Sequence, residues 1–212
     1  INFMDKNRVG DFANLDIAKQ KIYFLFSSRT FCMLSLVASS QPSLEVSTRS
    51  PELIGQRLSA FSLEIDTKTY GKISVECAFQ GSKVFEGNIQ YNEIYSKTSL
   101  EAKKFHKLNP SGKLIGFKFE EEEWELEPKS AFYDWLYIKA LHPHKDYLKK
   151  LFKYDAFTDI EFNPSKSINC QARTCAIIIS LLKRDLYDEV MSSKENFIDI
   201  IYKKQFKQGT LI

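Results

Sequence analysis

The sequence predicts an α+β fold, mostly helical, with one small sheet. Several segments place apolar residues at helical spacing, and short alternating or wholly apolar runs lie between them. The chain has 212 residues, of which 43% are hydrophobic and 14% aromatic, which is enough for one globular core. We therefore expect a single domain over residues 1–212, because disordered chains have a more polar composition.

Local signals place the elements in order. Pro51 and Pro128 are each expected to open a helix, Ser99 to cap another, and the acidic run from Glu120 to Glu123 to form a solvated turn. Expected strands lie within 1–15 and at 22–26, 61–65, 114–119 and 157–162. Expected helices cover 51–58, 74–85, 99–108, 128–141, 145–152, 169–186 and 192–206.

The rest of the chain is organised around the segment 74–85. On a helix, Glu76, Gln80 and Lys83 fall at i, i+4 and i+7 on one stripe beside an apolar stripe. Ser74 can cap the first turn, where the helix dipole favours the ionised form of Glu76. A glutamate and a lysine on one face suit acid–base or nucleophilic chemistry, and the alternative is an ordinary solvated face.

A second candidate site lies at the start of the expected helix 169–186. This helix is apolar on all sides from Cys175 to Leu182 except at Ser180, which predicts a buried helix. Arg173 near its N-terminus can bind an anion together with free backbone N–H groups. The alternative is that Arg173 pairs with a structural carboxylate such as Glu161.

Composition limits the partners and ligands. The formal net charge of +3 permits an anionic partner, but the chain has no large basic block. The four cysteines lack C-x-x-C spacing and the three histidines lack zinc-site spacing, so we expect no metal and no cofactor. The apolar run from Phe31 to Ala38 is too short to span a membrane, and we find no signal-peptide pattern. These features predict a cytoplasmic protein with reduced, buried thiols and no membrane partner.

The chain resembles the NADAR family, the YbiA-like N-glycosidases, through short motifs in family order from residue 1 to about 182. Residues 1–3, Ile-Asn-Phe, and 10–14, Gly-Asp-Phe-Ala-Asn, match its opening strand and turn. The most specific match is 74–83, which keeps the Glu, Phe, Gln and Lys of the signature Thr-x-Glu-His-Tyr-Phe-Gln-Ala-x-Lys-Phe. Later family segments are similar to the helix at 99–107, to Trp124, and to the helices that carry Lys139 and Arg173.

The chain also departs from the family pattern. Cys77 and Ala78 replace the usual His-Tyr, residues 162–171 replace a Trp-Gly and Gly-rich loop, and an insertion at about 27–65 separates the first motifs from the signature. Such divergence is similar to the NADAR branch that accompanies guanine-targeting DarT toxins. The resemblance therefore implies a YbiA-like/NADAR fold and an antitoxin that removes ADP-ribose from guanine in DNA. The implied partners are modified DNA, the product ADP-ribose and a cognate DarT-type toxin.

The resemblance also implies a site, with Glu76 and Lys83 as catalytic residues. Glu76 would stabilise positive charge on the ribose carbon or activate a water. Lys83, if neutral, would attack the anomeric carbon and form an imine, and if charged would bind phosphate or a ribose hydroxyl. The expected substrate-binding residues are Gly10, Asp11, Phe12, Asn14, Phe79, Gln80, Lys104, Trp124 and Arg173. Core packing is the alternative for Phe79 and Trp124, and capping of a neighbouring strand for Gln80.

Three functions are compatible with these residues. The first is an ADP-ribosyl glycohydrolase that acts as an antitoxin on guanine-modified DNA. The second is an N-glycosidase on phosphorylated riboflavin-biosynthesis intermediates, against which the replaced Gly-rich loop argues. The third is a non-catalytic module that binds ADP-ribose or DNA, against which the presence of both Glu76 and Lys83 argues.

Overall fold

A computed structural model describes residues 22–27, 30–35, 42–108, 111–159 and 169–203. Helices and short strands enclose a hydrophobic core whose buried residues run from Leu44 to Tyr202 and form one cluster. The predicted α+β class is therefore confirmed. The expected loop at Gly10, Asp11, Phe12 and Asn14 lies outside the described residues.

Nine short strands are described, in three small sheets rather than the single sheet expected. They are β1 (Ile22–Ser27), β2 (Thr30–Ser35), β3 (Ser43–Glu45), β4 (Glu64–Thr67), β5 (Gly71–Ser74), β6 (Lys83–Phe85), β7 (Leu114–Phe119), β8 (Glu122–Trp124) and β9 (Ala156–Thr158). The sheet orders are β2-β1-β9-β3, β4-β5 and β6-β7-β8. Only the pairing of β3 with β9 is parallel. Because β3 brings Leu44 into the core, the serine-rich stretch 27–60 contributes to the fold.

Eight α-helices are described, most of them short. They are α1 (Leu53–Arg57), α2 (Val75–Gly81), α3 (Ser99–Lys103), α4 (Ala131–Leu141), α5 (Lys145–Leu148), α6 (Gln171–Lys183), α7 (Tyr187–Met191) and α8 (Lys194–Ile198). A π-helical turn over Asp199–Lys203 follows α8. Buried helix α6 confirms the expectation from its apolar sequence. No helix in the described part of the chain is long and apolar enough to cross a bilayer.

The expected helix 74–85 is wrong in its second half. Helix α2 ends at Gly81, and Lys83 instead begins strand β6, opposite Phe117 of β7. A Cβ on Gly81 would lie 2.6 Å from the Tyr95 ring, so the chain approaches that ring too closely for any larger residue. The Ser82 hydroxyl donates to the Ala78 carbonyl at 2.6 Å and closes the last turn. Packing against Tyr95 thus ends the helix where the local pattern would continue it.

Two smaller differences concern a cap and an acidic run. Helix α3 is capped by Thr98, not by Ser99, in a capping box with Glu101. The acidic run from Glu120 to Glu123 is a turn only at its start, because Glu122 begins β8 and pairs with Phe119. Pairing with β7 therefore makes Glu122 and Glu123 part of a strand, although the run of charges predicted a turn.

Candidate active site

The first turn of α2 is fixed by hydrogen bonds on both sides of Glu76. The Ser74 hydroxyl accepts from the Cys77 amide at 3.1 Å, which confirms the predicted cap. The Glu76 amide donates to the Ala60 carbonyl at 3.1 Å, so the loop before β4 covers the start of the helix. Glu76 is consequently only 8% exposed, although it is acidic.

Burial controls the charge of Glu76. Loss of solvent raises the pKa of its carboxyl above the ordinary value, while a hydrogen bond from Gln80 and the charges of Lys103 and Lys83 act in the opposite direction. The Gln80 Nε2 donates to Glu76 Oε1 at 2.9 Å. This corrects the expectation that the helix dipole would favour the ionised form, because desolvation outweighs the position in the first turn. Glu76 is therefore better suited to hold a transferable proton than the sequence indicated.

Lys83 reaches the same region from strand β6. Its Nζ lies 5.2 Å from the centroid of the Phe79 ring, and burial lowers the pKa of its amine, with the charge of Glu76 acting against that shift. Among the described residues no ion pair within 4.0 Å joins Glu76 and Lys83. The predicted stripe at i, i+4 and i+7 is wrong for Lys83, yet the turn at Gly81 still places both charges near Phe79.

One polar atom of the Gln80 side chain has no hydrogen-bond partner in the described structure. Its Nε2 donates to Glu76, but its buried Oε1 has no hydrogen-bond partner in the described structure. An unpaired buried acceptor is costly, so this oxygen is a place where the hydroxyl or N–H of a ligand would be favoured. Capping of a neighbouring strand by Gln80 does not account for its observed partner.

Phe79 sits in an aromatic cluster. Its ring packs against those of Phe117, Phe132 and Tyr133 with centroids 5.5, 6.3 and 5.4 Å away. Phe79 is partly buried: it packs against the core, and its ring is also in contact with Lys83.

A second polar cluster surrounds Asp134 on α4, which is only 1% exposed. Asp134 accepts from Arg173, from the Thr174 hydroxyl at 2.5 Å and from the Tyr202 hydroxyl at 2.6 Å. The Asp134 charge raises the pKa of Arg173 above its already high value, although burial acts against it. Arg173 thus pairs with a structural carboxylate, Asp134, and the Glu161 suggested from the sequence lies outside the described residues. A quarter of the Arg173 side chain remains exposed.

Tyr133 and Lys103 interact electrostatically with Glu76 but are missing from the sequence-based set. The pKa of Tyr133 is raised well above its ordinary value by burial, and then by the charges of Glu76, Asp159 and Asp134, so its hydroxyl stays protonated beside three carboxylates. Lys103 contributes its charge to Glu76 from the neighbouring helix α3. Neither residue shares a periodic pattern with Glu76, so only the packing of α3 and α4 on α2 reveals them.

Two other predicted site residues, Trp124 and Lys104, lie in the core and at the surface, respectively. Trp124 is 4% exposed, and its ring packs against Phe132, Trp135 and Phe197, which is the core alternative. Lys104 is exposed at the C-terminal cap of α3, beside Lys103. Lys104 can therefore meet a ligand only at the surface of the protein.

A separate cleft of about 920 Å³ lies away from this site, between the β4–β5 hairpin, the end of α4 and the α7–α8 junction. Glu76, Gln80 and Lys83 are not among its lining residues. Two ionisable groups with shifted pKa values and an unpaired acceptor nevertheless make the region of Glu76 and Lys83 the candidate site.

Residues 33–210 match the family NADAR-DarT1, described as DarT1-associated NADAR antitoxin. The chain belongs to this family. The match includes Glu76, Lys83 and Arg173, and it confirms both the NADAR resemblance and its DarT-associated branch. The opening motif at 10–14 lies before the matched residues. No curated protein matches the chain.

Membership of the NADAR-DarT1 family makes a cognate DarT toxin the expected counterpart of this protein. The matched residues include Cys77 and Ala78, the two positions at which the chain departs from the signature. In the structure, Cys77 is buried and its thiol donates to the Lys97 carbonyl at 3.0 Å. That position packs α2 against the segment before α3.

Proposed function

We propose that this NADAR-DarT1 protein is an ADP-ribosyl glycohydrolase that removes ADP-ribose from guanine bases in DNA and so reverses the action of a DarT toxin. One observation carries the proposal. Glu76 and Lys83 are both desolvated, the pKa of Glu76 is raised, and the pKa of Lys83 is lowered. Opposite shifts of this kind increase the fractions of protonated carboxyl and neutral amine, which are an acid and a nucleophile.

The preferred route uses Lys83 as the nucleophile. Its neutral Nζ attacks C1 of the ribose, the C1–N bond to guanine breaks, and the electron pair goes to the guanine nitrogen, which takes the proton of Glu76. The new ammonium returns a proton to the Glu76 carboxylate. The sugar ring then opens as the remaining N–H proton moves to the ring oxygen and an imine forms. Water adds to the imine carbon, and the bond to Lys83 breaks to give ADP-ribose and the neutral amine.

A second route keeps Lys83 as a binding residue. Ionised Glu76 takes a proton from water as the water attacks C1, and charged Lys83 binds a phosphate or a ribose hydroxyl. This route needs the carboxylate form, which burial disfavours. The balance of pKa shifts therefore supports the imine route.

The proposed substrate contacts use groups that can form further hydrogen bonds. The unpaired Gln80 Oε1 is suited to accept from a ribose hydroxyl, and partly exposed Arg173 to donate to the pyrophosphate. Gly10, Asp11, Phe12 and Asn14, which lie outside the described residues, stay in the proposal as substrate-binding residues. In this proposal Phe79 orients Lys83, and Trp124 contributes to the core and not to stacking.

The direct test is to incubate the protein with an oligonucleotide that carries ADP-ribosylated guanine and to follow free ADP-ribose by chromatography. We expect release of ADP-ribose together with restoration of unmodified guanine. A variant with Glu76→Gln serves as the control, because it keeps the shape of the side chain without its proton chemistry. If no ADP-ribose is released from DNA and phosphorylated riboflavin intermediates are cleaved, the alternative glycosidase function is the correct one.

A further inference from the structure

We propose that the segment Lys97–Lys107, called here the lysine segment, binds the phosphate backbone of single-stranded DNA beside the modified guanine. It contains four exposed or partly exposed lysines, Lys97, Lys103, Lys104 and Lys107, and it includes helix α3. The inference rests on the proposed function, since it names the part of the macromolecular substrate that lies outside the pocket.

The lysine segment is attached directly to the helix that carries Glu76. The Cys77 thiol donates to the Lys97 carbonyl at 3.0 Å, and the Ser99 hydroxyl donates to the Ser74 hydroxyl at 2.8 Å. The charge of Lys103 also acts on Glu76. A strand whose modified base occupies the Glu76 site would therefore place its neighbouring phosphates along this segment.

The lysine segment carries four lysines and one carboxylate, so its charge is positive in excess. That carboxylate, Glu101, is held in the capping box, where it accepts from the Thr98 amide at 2.9 Å and the Thr98 hydroxyl at 2.7 Å. Glu93 forms an ion pair with Lys107 at 3.0 Å. Such an exposed pair contributes little to stability, so a phosphate can replace Glu93 at small cost.

Aromatic rings lie under these lysines. The Nζ atoms of Lys97 and Lys107 are 5.5 and 5.7 Å from the Phe105 ring centroid, and Lys107 is also 5.8 Å from that of Tyr91. Cation–π contacts hold the long side chains near one surface and so reduce the rotamer entropy lost on binding. Basic side chains combined with aromatic rings are typical of surfaces that bind single strands.

Burial of Glu76 favours a single strand over a duplex. Because Glu76 is only 8% exposed, the modified base must come close to α2 before the ribose carbon can reach its carboxyl. A base must leave the helical stack for this, which costs a few kcal/mol in a duplex and less in a single strand.

The test measures binding and activity separately. Affinity for an unmodified single-stranded oligonucleotide is followed by fluorescence anisotropy at 50 and 200 mM salt. With four phosphate contacts and a slope of roughly −0.7 per contact, affinity should fall about 50-fold over this range. The variant Lys97→Gln/Lys107→Gln keeps two contacts and should lose only about 7-fold. Its release of ADP-ribose from the modified oligonucleotide should need more substrate, while release from ADP-ribosylated deoxyguanosine should not change.

The matched control is Lys149→Gln/Lys150→Gln on another surface. Lys149 is ion-paired with Asp146 at 2.7 Å, as Lys107 is with Glu93, and Lys150 lies over the Tyr147 ring at 4.7 Å, as Lys97 lies over Phe105. We expect this control to show the same salt dependence of DNA binding as the protein without substitutions. Equal salt slopes in both double variants, or tighter binding of a duplex of the same sequence, would overturn the inference. Absence of ADP-ribose release from both substrates would instead overturn the proposed function, and the anisotropy result would still stand.

Discussion

Asp134 and Glu76 are both buried carboxylates, but their partners differ. Asp134 accepts from a guanidinium and two hydroxyls, those of Arg173, Thr174 and Tyr202. Glu76 accepts one side-chain hydrogen bond in the described structure, from Gln80, whose own oxygen is unpaired. Three donors compensate for the desolvation of Asp134, whereas one side-chain donor offsets less of the desolvation of Glu76. The comparison agrees with a structural role for the α4–α6 cluster and with the chemical role that we propose for Glu76 and Lys83.

Glu76→Gln should have the largest effect on activity. Because the amide keeps the shape but cannot transfer the proton, kcat for ADP-ribose release should fall by about 10²–10⁴-fold while binding of ADP-ribose is kept. A fully active variant would remove the chemical role from this helix.

The same variant should gain stability at neutral pH. Burial raises the pKa of Glu76, so the stability contributed by its protonated form is fully present below the ordinary value of 4.5 and is lost as pH rises through the raised value. Urea unfolding of both proteins should therefore show Glu76→Gln to be the more stable at pH 7, with the difference vanishing below pH 4.5. A constant difference at all pH values would contradict the assigned burial effect.

Lys83 decides between the two chemical routes. Borohydride added during turnover should reduce the imine and trap a covalent adduct, detected by mass spectrometry, and Lys83→Ala should lose both adduct and activity. Lys149→Ala is the control, because it removes a lysine on another surface, where Lys149 is ion-paired with Asp146 at 2.7 Å. No adduct, together with a Lys83→Ala enzyme that only binds more weakly, would favour attack by water.

Arg173→Ala tests the structural member of the comparison. Removal of the guanidinium leaves the buried Asp134 charge with two neutral donors, so the free energy of unfolding should fall by about 3–5 kcal/mol. Adding Asp134→Asn should recover part of that loss, as measured by urea denaturation. In the folded double variant, calorimetry should still show ADP-ribose binding weakened by about 1.5–3 kcal/mol. Unchanged affinity there would leave Arg173 with a structural role alone.

Gln80→Ala should have the smallest effect, and its direction is informative. The hydrogen bond from Gln80 lowers the pKa of Glu76, so its loss should raise that pKa further. If Glu76 acts as a protonated acid, the alkaline limb of the pH–rate profile moves to higher pH. If it acts as an ionised base, the acidic limb moves to higher pH instead. A profile that does not move would show that Glu76 does not control the rate.

The sequence predicted the class of fold better than the ends of its elements. The Ser74 cap and buried helix α6 follow from local rules, and both are present. The end of α2 could not be predicted, because it depends on Tyr95, fourteen residues beyond Gly81. The raised pKa of Glu76 depends likewise on burial by distant segments. Single-helix rules describe neither effect, since both arise from tertiary packing.

The turn at Gly81 also has a consequence for the length of the chain between the two reactive groups. Glu76 is placed by a helix, but Lys83 by a strand, where successive side chains point to opposite faces of the sheet. A residue inserted after Ser82 that took the place of Lys83 opposite Phe117 would move Lys83 one position along β6 and turn its amine to the other face, while Glu76 stays in place. The spacing of seven positions from Glu76 to Lys83 therefore decides which face of β6 carries the amine. Substitutions between the two residues leave this spacing unchanged, whereas a single insertion or deletion that shifts β6 by one position turns the amine away.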